Sequence, residues 1–443
     1  MKKQTYNNRY ILVISFVSAL GGYLFGFDFA VISGALPFLQ KEFSLDAYWE
    51  GFATGSLALG AILGCLYAGY YSDKHGRRPA LLLAATVFLL SALAMAFAPG
   101  RDILIFSRFC AGFGVGMASV LSPLYIAEIS PAAVRGRMVA INQLTIVIGI
   151  LITNLMNFSL RNVGDHAWRW MFGLGAVPAL LFLLGARWLP ESPRWLMRAG
   201  DQGKAKEVLR KIGNEEYMEE AYASMNQMSQ KSEKTGFLQV FQKAAMPAIL
   251  VGIGLAVFQQ LCGINVVFNY TAKIFESIGA SKDDQLLQTV FIGAVNLSFT
   301  IVAMLLVDKL GRRPLMLIGS AGLAVVYILV VHMLKSGSVY VSWYLLAAIG
   351  IYAMTLAPVT WVLISEIFPT KIRGTATSIA VVSLWVAYFI LIFTFPVLFS
   401  KLKDDTFYIY SGICFLGLIF IWSKVKESKG KSLEQMEEIF IAH

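Results

Sequence analysis

Four amides, Gln259, Gln260, Asn265 and Asn269, fall within eleven residues of an otherwise apolar run, Phe258-Gln259-Gln260-Leu261-Cys262-Gly263-Ile264-Asn265-Val266-Val267-Phe268-Asn269-Tyr270. A side-chain amide both donates and accepts hydrogen bonds, which suits a polyhydroxyl ligand whose every OH does the same. Gly263 permits local unwinding beside the amides. Gln143 and Asn296 place further amides in two other apolar runs. Trp361 and Trp385 also lie inside apolar runs, where a flat ring can stack on the C–H face of such a ligand. The competing use of these amides is to bridge helices, and that of the tryptophans is ordinary packing.

Asp28 closes the run Gly21-Gly22-Tyr23-Leu24-Phe25-Gly26-Phe27-Asp28. A carboxylate inside an apolar segment is costly, which makes it a functional candidate. If its segment is a helix entering the membrane near Arg9, Asp28 lies roughly 28 Å along it. A later helix entering from the other side near Asp102 carries Arg108 roughly 9 Å down. The two charges then fall at similar depth. Burial favours the protonated carboxyl and a nearby guanidinium favours the ionised one, so the pair is suited to taking up and releasing a proton. The alternative is a static buried ion pair.

A third set of charges is duplicated. Asp73-Lys74-His75-Gly76-Arg77-Arg78-Pro79 is matched by Asp308-Lys309-Leu310-Gly311-Arg312-Arg313-Pro314. Glu128-x-x-Pro131-x-x-x-Arg135-Gly136 is matched by Glu366-x-x-Pro369-x-x-x-Arg373-Gly374. Both matches have an offset of about 235 residues, which implies two structural repeats. Asp73, Arg77, Glu128 and Arg135, with Asp308, Arg312, Glu366 and Arg373, form candidate ion-pair clusters that close in one conformation and open in another. Otherwise they anchor loops and fix topology.

The elements that must position these residues are helices in lipid. Of 443 residues 57% are hydrophobic and only 14% charged, against about 25% charged in an average soluble domain. Apolar blocks of about 20 residues match a hydrocarbon core of about 30 Å crossed by a helix. Twelve spans are predicted, at roughly 10–38, 50–71, 80–98, 102–126, 138–159, 168–189, 246–275, 286–307, 314–334, 341–367, 375–398 and 406–423. The N-terminal apolar stretch reads as the first span, not a cleaved signal. The expected fold is an all-α membrane protein of two six-helix bundles related by a pseudo-twofold axis. Residues 1–189 form one bundle, 190–245 a polar linker of short helices, 246–424 the second bundle and 425–443 a tail.

The net charge of +10 is not a nucleic-acid footprint. Basic residues cluster in connections that follow even-numbered spans, which puts those connections, the linker and both termini on the cytoplasmic side. Cys65, Cys110, Cys262 and Cys414 lie in apolar blocks and suggest neither disulfides nor a zinc site. No nucleophile constellation, phosphate loop or metal cluster points to an enzyme, and no cofactor is implied.

With these residues in view, the chain resembles the sugar porters of the major facilitator superfamily along essentially its whole length. The paired Asp-x-x-Gly-Arg-Arg and Glu-x-x-Pro-x-x-x-Arg-Gly motifs carry the resemblance. So do Pro190-Glu191-Ser192-Pro193-Arg194-Trp195-Leu196, the Gln259-to-Asn265 element and the tail Glu427-Ser428-Lys429-Gly430-Lys431-Ser432-Leu433-Glu434. The resemblance implies import of a hexose or pentose with a proton through a bacterial inner membrane, by a carrier functional as a monomer. It implies a sugar site of Gln143, Gln259, Gln260, Asn265, Asn296, Trp361 and Trp385, proton coupling by Asp28 and Arg108, and Glu191 and Arg194 as further parts of the cytoplasmic gate. The similarity is nearest to bacterial xylose, arabinose, galactose and glucose symporters. Asn269-Tyr270 stands where many members carry two tyrosines, Leu384 replaces a common Gln or Asn, and Ile150 a second Gln of the xylose type. A facilitative uniporter is the rival reading, and a non-transporting sugar sensor a more distant one. Such sensors carry a long signalling tail, and about 20 residues are expected after span twelve.

Overall fold

The computed structural model describes residues 5–231, 246–338, 340–368 and 372–429, apart from the side chains of 227–231, 308, 365, 373 and 374. The described backbone is helical, and its one extended pairing is an isolated bridge between Tyr6 and Gly213. The first spans are α1 (Asn8–Phe43), α2 (Ala47–His75), α3 (Arg77–Ala96), α4 (Arg101–Ile129) and α5 (Ala132–Leu160). The sixth is built from α6 (Ala167–Gly173) and α7 (Ala176–Trp188). Three short helices follow, α8 (Pro193–Arg198), α9 (Gln202–Ile212) and α10 (Glu215–Lys231). The later spans are α11 (Met246–Leu261) with α12 (Ile264–Glu276), α13 (Lys282–Leu310), α14 (Arg312–Lys335), α15 (Val341–Met354) with α16 (Leu356–Ile367), α17 (Arg373–Leu402) and α18 (Thr406–Lys424).

Among the described residues, eleven helical stretches are long and apolar enough to cross a bilayer, the last being the 50 residues Thr375–Lys424. At 1.5 Å per residue that stretch is about 75 Å long, more than two crossings of a core of about 30 Å. It is divided by a 3-10 turn at Lys403–Asp405 into α17 and α18, so the chain has twelve spans.

The polar helices start where their caps dictate. The Ser192 side chain accepts from the Trp195 N–H at the head of α8, with Pro193 in the first turn. Asp201 accepts from the Lys204 N–H at the head of α9. These side chains satisfy amide groups that a helix N-terminus leaves without partners. The N-terminal residues are tied to this region: the Asn7 N–H donates to the Ile212 carbonyl at 2.9 Å, and the Asn214 N–H to the Thr5 carbonyl at 3.0 Å.

Two compact units can be described. The first comprises residues 1–29, 60–150 and 172–234, and the second 30–59, 151–171 and 235–443. In the first, the Thr145 hydroxyl donates to the Ala19 carbonyl at 2.8 Å and joins α5 to α1. In the second, the far ends of α1, α2 and α5 pack with α11 to α18. There the Asn154 amide donates to the Thr289 carbonyl at 2.8 Å, and the Tyr48 ring lies 5.3 Å from that of Phe393.

Candidate functional site

Span seven breaks between α11 and α12, where Gly263 adopts φ 88°. That left-handed backbone is cheap only for glycine, and a Cβ there would also strike the Tyr410 ring. The break turns the amides toward one another. Gln259 Nε2 donates to the carbonyls of Leu356 at 3.3 Å and Ala357 at 3.2 Å. Gln260 Nε2 donates to Gln259 Oε1 at 3.3 Å, and Asn265 Nδ2 donates to Gln260 Oε1. Asn269 Nδ2 donates to the Asn265 carbonyl at 2.8 Å, and its Oδ1 accepts from the Tyr388 hydroxyl at 3.3 Å. Tyr388 in turn meets the Trp385 ring edge-on at 5.6 Å. Gln259, Gln260, Asn265, Trp385 and the unanticipated Tyr388 thus form one string within the second unit. Asn296 is buried on α13, whereas Trp361 is 43% exposed on α16. Gln143 is half-buried on α5 and belongs to the first unit.

Asp28 and Arg108 share the first unit and are 4% and 1% exposed. Arg108 acts electrostatically on the Asp28 carboxylate, and its guanidinium carbon lies 5.6 Å from the centre of the Phe172 ring. Two opposite charges removed from water in this way stabilise one another, and removing either strands its partner.

The duplicated motifs build two clusters of one design. In the first unit the Arg77 guanidinium takes Glu128 in a fork, Nε to Oε2 at 3.0 Å and Nη2 to Oε1 at 3.0 Å, and reaches Asp73 Oδ1 at 2.9 Å. Glu191 accepts the Arg77 and Arg78 N–H groups at 2.8 and 3.2 Å, capping α3. Ser192 donates its hydroxyl to Glu128. In the second unit Arg312 reaches Glu366 at 3.3 Å. Glu427 accepts the Arg312 and Arg313 N–H groups, each at 3.0 Å, capping α14. Gly76 and Gly311 precede the capped helices at φ 105° and 93°. A Cβ on either would collide with the capping carboxylate.

Two further arginines of the expected gate make other contacts among the described residues. Arg135 reaches the Ser130 carbonyl at 3.4 Å. Arg194 is held below its ordinary pKa by burial and by the Arg135 charge beside it. Asp308 and Arg373 lie outside the residues whose side chains are described.

The arrangement of spans is matched in known proteins. The sugar (and other) transporter family matches over residues 14–440. The chain belongs to that family. It is 36% identical to the D-xylose-proton symporter of Escherichia coli, over 98% of this chain and 96% of the relative. It is also 36% identical to the arabinose-proton symporter of Bacillus subtilis, over 98% and 95% of the two chains. The inward-open xylose transporter XylE from E. coli superposes with a TM-score of 0.86 at 35% identity, covering 97% of this chain and all of the other. A structure of the same major facilitator superfamily proton:xylose symporter bound to 6-bromo-6-deoxy-D-glucose gives a TM-score of 0.83 at 36% identity, covering 98% and 100%. The chain therefore has the twelve-span major facilitator fold and is a membrane-spanning transporter.

Within this sugar transporter family member, two parts of the second cluster escaped sequence reasoning. Glu427 and Ser428 occupy the places that Glu191 and Ser192 hold in the first. The signal was present, since the Glu-Ser dipeptide recurs at nearly the offset of the other motifs. A buried ion pair between Glu50 and Lys273 was also missed.

Proposed function

We propose that this chain imports a monosaccharide together with a proton by alternating access. The observation that carries the proton is the burial of Asp28 and Arg108 in one unit, with the Arg108 charge acting on the Asp28 carboxylate. Full-length likeness to proteins named as xylose-proton and arabinose-proton symporters supports both the sugar and the coupling ion. In this reading Gln143, Gln259, Gln260, Asn265 and Asn296 bond the hydroxyls, and Trp361 and Trp385 lie against the ring. Gln259, Gln260 and Asn265 bond one another, so a sugar hydroxyl that reaches them exchanges an existing hydrogen bond for a new one. Such exchanges give modest net energies, about 0.5–1.5 kcal/mol each, and several must act together.

Asp73, Arg77, Glu128, Arg135, Glu191 and Arg194, with Asp308, Arg312, Glu366 and Arg373, form the cytoplasmic gate in this reading, to which Glu427 and Ser428 are added. The halves are residues 1–189 and 246–424, joined by a cytoplasmic linker at 190–245 and followed by a cytoplasmic tail. The basic connections support cytoplasmic termini and residence in a bacterial inner membrane, and the carrier works as a monomer. The deciding experiment is net downhill uptake of labelled xylose, arabinose, galactose and glucose into sugar-free proteoliposomes, with external pH recorded. Sugar uptake accompanied by alkalinisation is expected. Uptake with no proton movement would make the protein a uniporter, and no uptake of any of the four would remove the sugar assignment.

A further inference from the structure

Glu50 and Lys273 are charges that neither the sugar string nor the Asp28–Arg108 pair uses. Glu50 sits in the first turn of α2, at the end remote from Asp73. Its side chain is 2% exposed and that of Lys273, on α12, 19%. Lys273 Nζ donates to Glu50 Oε2, and Gln40 Nε2 from the far end of α1 donates to the same oxygen at 2.9 Å. One carboxylate oxygen thus ties together the far ends of spans one, two and seven. The other ion pair of this unit that spans the two sequence halves among those described, Arg161 with Asp283, has a 60% exposed carboxylate, and exposed pairs contribute little.

The surroundings are built to separate and close as one body. Between the amide string and Lys273 the helix is bent at Tyr270, whose φ of −121° and ψ of 20° leave the helical range. The Tyr270 hydroxyl is fixed to the Ile392 carbonyl on α17 at 2.8 Å. Just past Glu50, Gly51 and Gly55 lie against Phe393 and Phe389 of α17. The outer segment of span seven is therefore held to span eleven by Tyr270 and to span two by the ion pair. Alternating access requires one mouth to be shut while the other is open, and two packed surfaces parted by burying and exposing a salt bridge give two discrete states.

We propose that Glu50 and Lys273 are the outer latch of the transport cycle: their ion pair, seconded by Gln40, holds the mouth opposite the Arg77 and Arg312 clusters closed and must break for that mouth to open. This rests on the alternating-access reading but not on which sugar is carried.

The test reads opening directly. Thr289, which is 2% exposed and whose carbonyl accepts from Asn154, is replaced by cysteine in a background lacking the four native cysteines. A membrane-impermeant maleimide is then added to sealed cells without sugar. Glu50→Gln, Lys273→Gln and the double variant Glu50→Gln with Lys273→Met should each raise the labelling rate about tenfold, the size of a modest population shift. The exchanged pair, Glu50→Lys with Lys273→Glu, should return it toward the starting rate. The neutral double variant buries no unpaired charge, so it reports even if a single variant fails to reach the membrane. Unchanged labelling in the neutral double variant, or an exchanged pair that labels as fast as it does, would overturn the latch. Counterflow on the same preparations keeps a failed latch distinct from a failed transport reading.

Discussion

The Ser428 hydroxyl donates to Glu366 Oε2 at 2.6 Å, as the Ser192 hydroxyl donates to Glu128. The segment after span twelve is thereby built into the second cluster as the segment after span six is built into the first. Glu427 supplies the cap of α14, and loss of a cap costs about 0.5–2 kcal/mol. Glu427→Ala should therefore lower the apparent Tm of the purified carrier by a few degrees and speed proteolysis after Lys424. Thermal unfolding in detergent checks the first, and an unchanged Tm would mean that the carboxylate caps nothing in solution.

The two capping carboxylates differ in their proton affinity. Burial pushes Glu191 above its ordinary pKa, against the pull of the Ser192, Arg77 and Arg78 N–H groups. Glu427 is also pushed up by burial, but the N–H groups of Lys429, Arg312, Arg313 and Ser428 outweigh it and hold the carboxyl below its usual value. The signs follow from linkage. A depressed carboxyl adds stability above the unfolded value, and this is lost as pH falls through the folded one. A raised carboxyl costs stability when ionised, and the cost is relieved as pH falls through its higher folded value. Glu191→Gln should flatten the pH dependence of Tm above about 4.5, and Glu427→Gln only below it. A common window for both variants would contradict the assignment.

Much of this architecture was legible because lipid leaves so few options. Apolar blocks of span length and duplicated charge motifs carried the twelve spans, and Gly263 beside the amides marked the break in span seven. Pairings between distant side chains were not legible. Glu50 and Lys273 are 223 residues apart and share no motif, and nothing in their neighbourhoods names the other. Trp361 had no signal for its exposure, since an apolar run does not say which of its faces is packed. Arg135 was expected beside a carboxylate; among the described residues its hydrogen bond goes to the Ser130 carbonyl.

The orientation is tested on the short helices. Lys204 on α9 has a 70% exposed side chain, so a cysteine there is open to reagent. In sealed cells an impermeant maleimide should leave Lys204→Cys unlabelled, and permeabilisation should make it react. Labelling in sealed cells would invert the topology.

The amide string makes a prediction about affinity. Asn265→Ala removes a proposed sugar contact and also frees the Gln260 oxygen that Asn265 now occupies. Sugar binding should weaken by about 1–3 kcal/mol, the cost of leaving a buried polar group unpaired. Gln260→Ala should act similarly. The two effects should fall short of additive, because the residues share one hydrogen bond. Titration calorimetry measures the two single variants and the double variant Gln260→Ala with Asn265→Ala, and full additivity would mean that the two amides act apart.

Proton coupling is tested at Asp28. Asp28→Asn keeps the shape of the side chain and removes its titratable proton. Exchange of labelled for unlabelled sugar needs only the loaded carrier to reorient, so it should survive at least in part. Accumulation against a gradient needs the proton to bias that reorientation, and it should vanish. Arg108 is 1% exposed, and removing one charge from beside another that is buried costs up to about 3–5 kcal/mol. A lowered Tm should therefore accompany the uncoupling, and Asp28→Asn with Arg108→Gln should recover part of it without recovering accumulation. That combination separates the two roles of the carboxylate, since stability returns with the charge balance and transport against a gradient does not. If Asp28→Asn still concentrates sugar with the same pH dependence, the proton travels by another group and the coupling assigned to this pair is wrong.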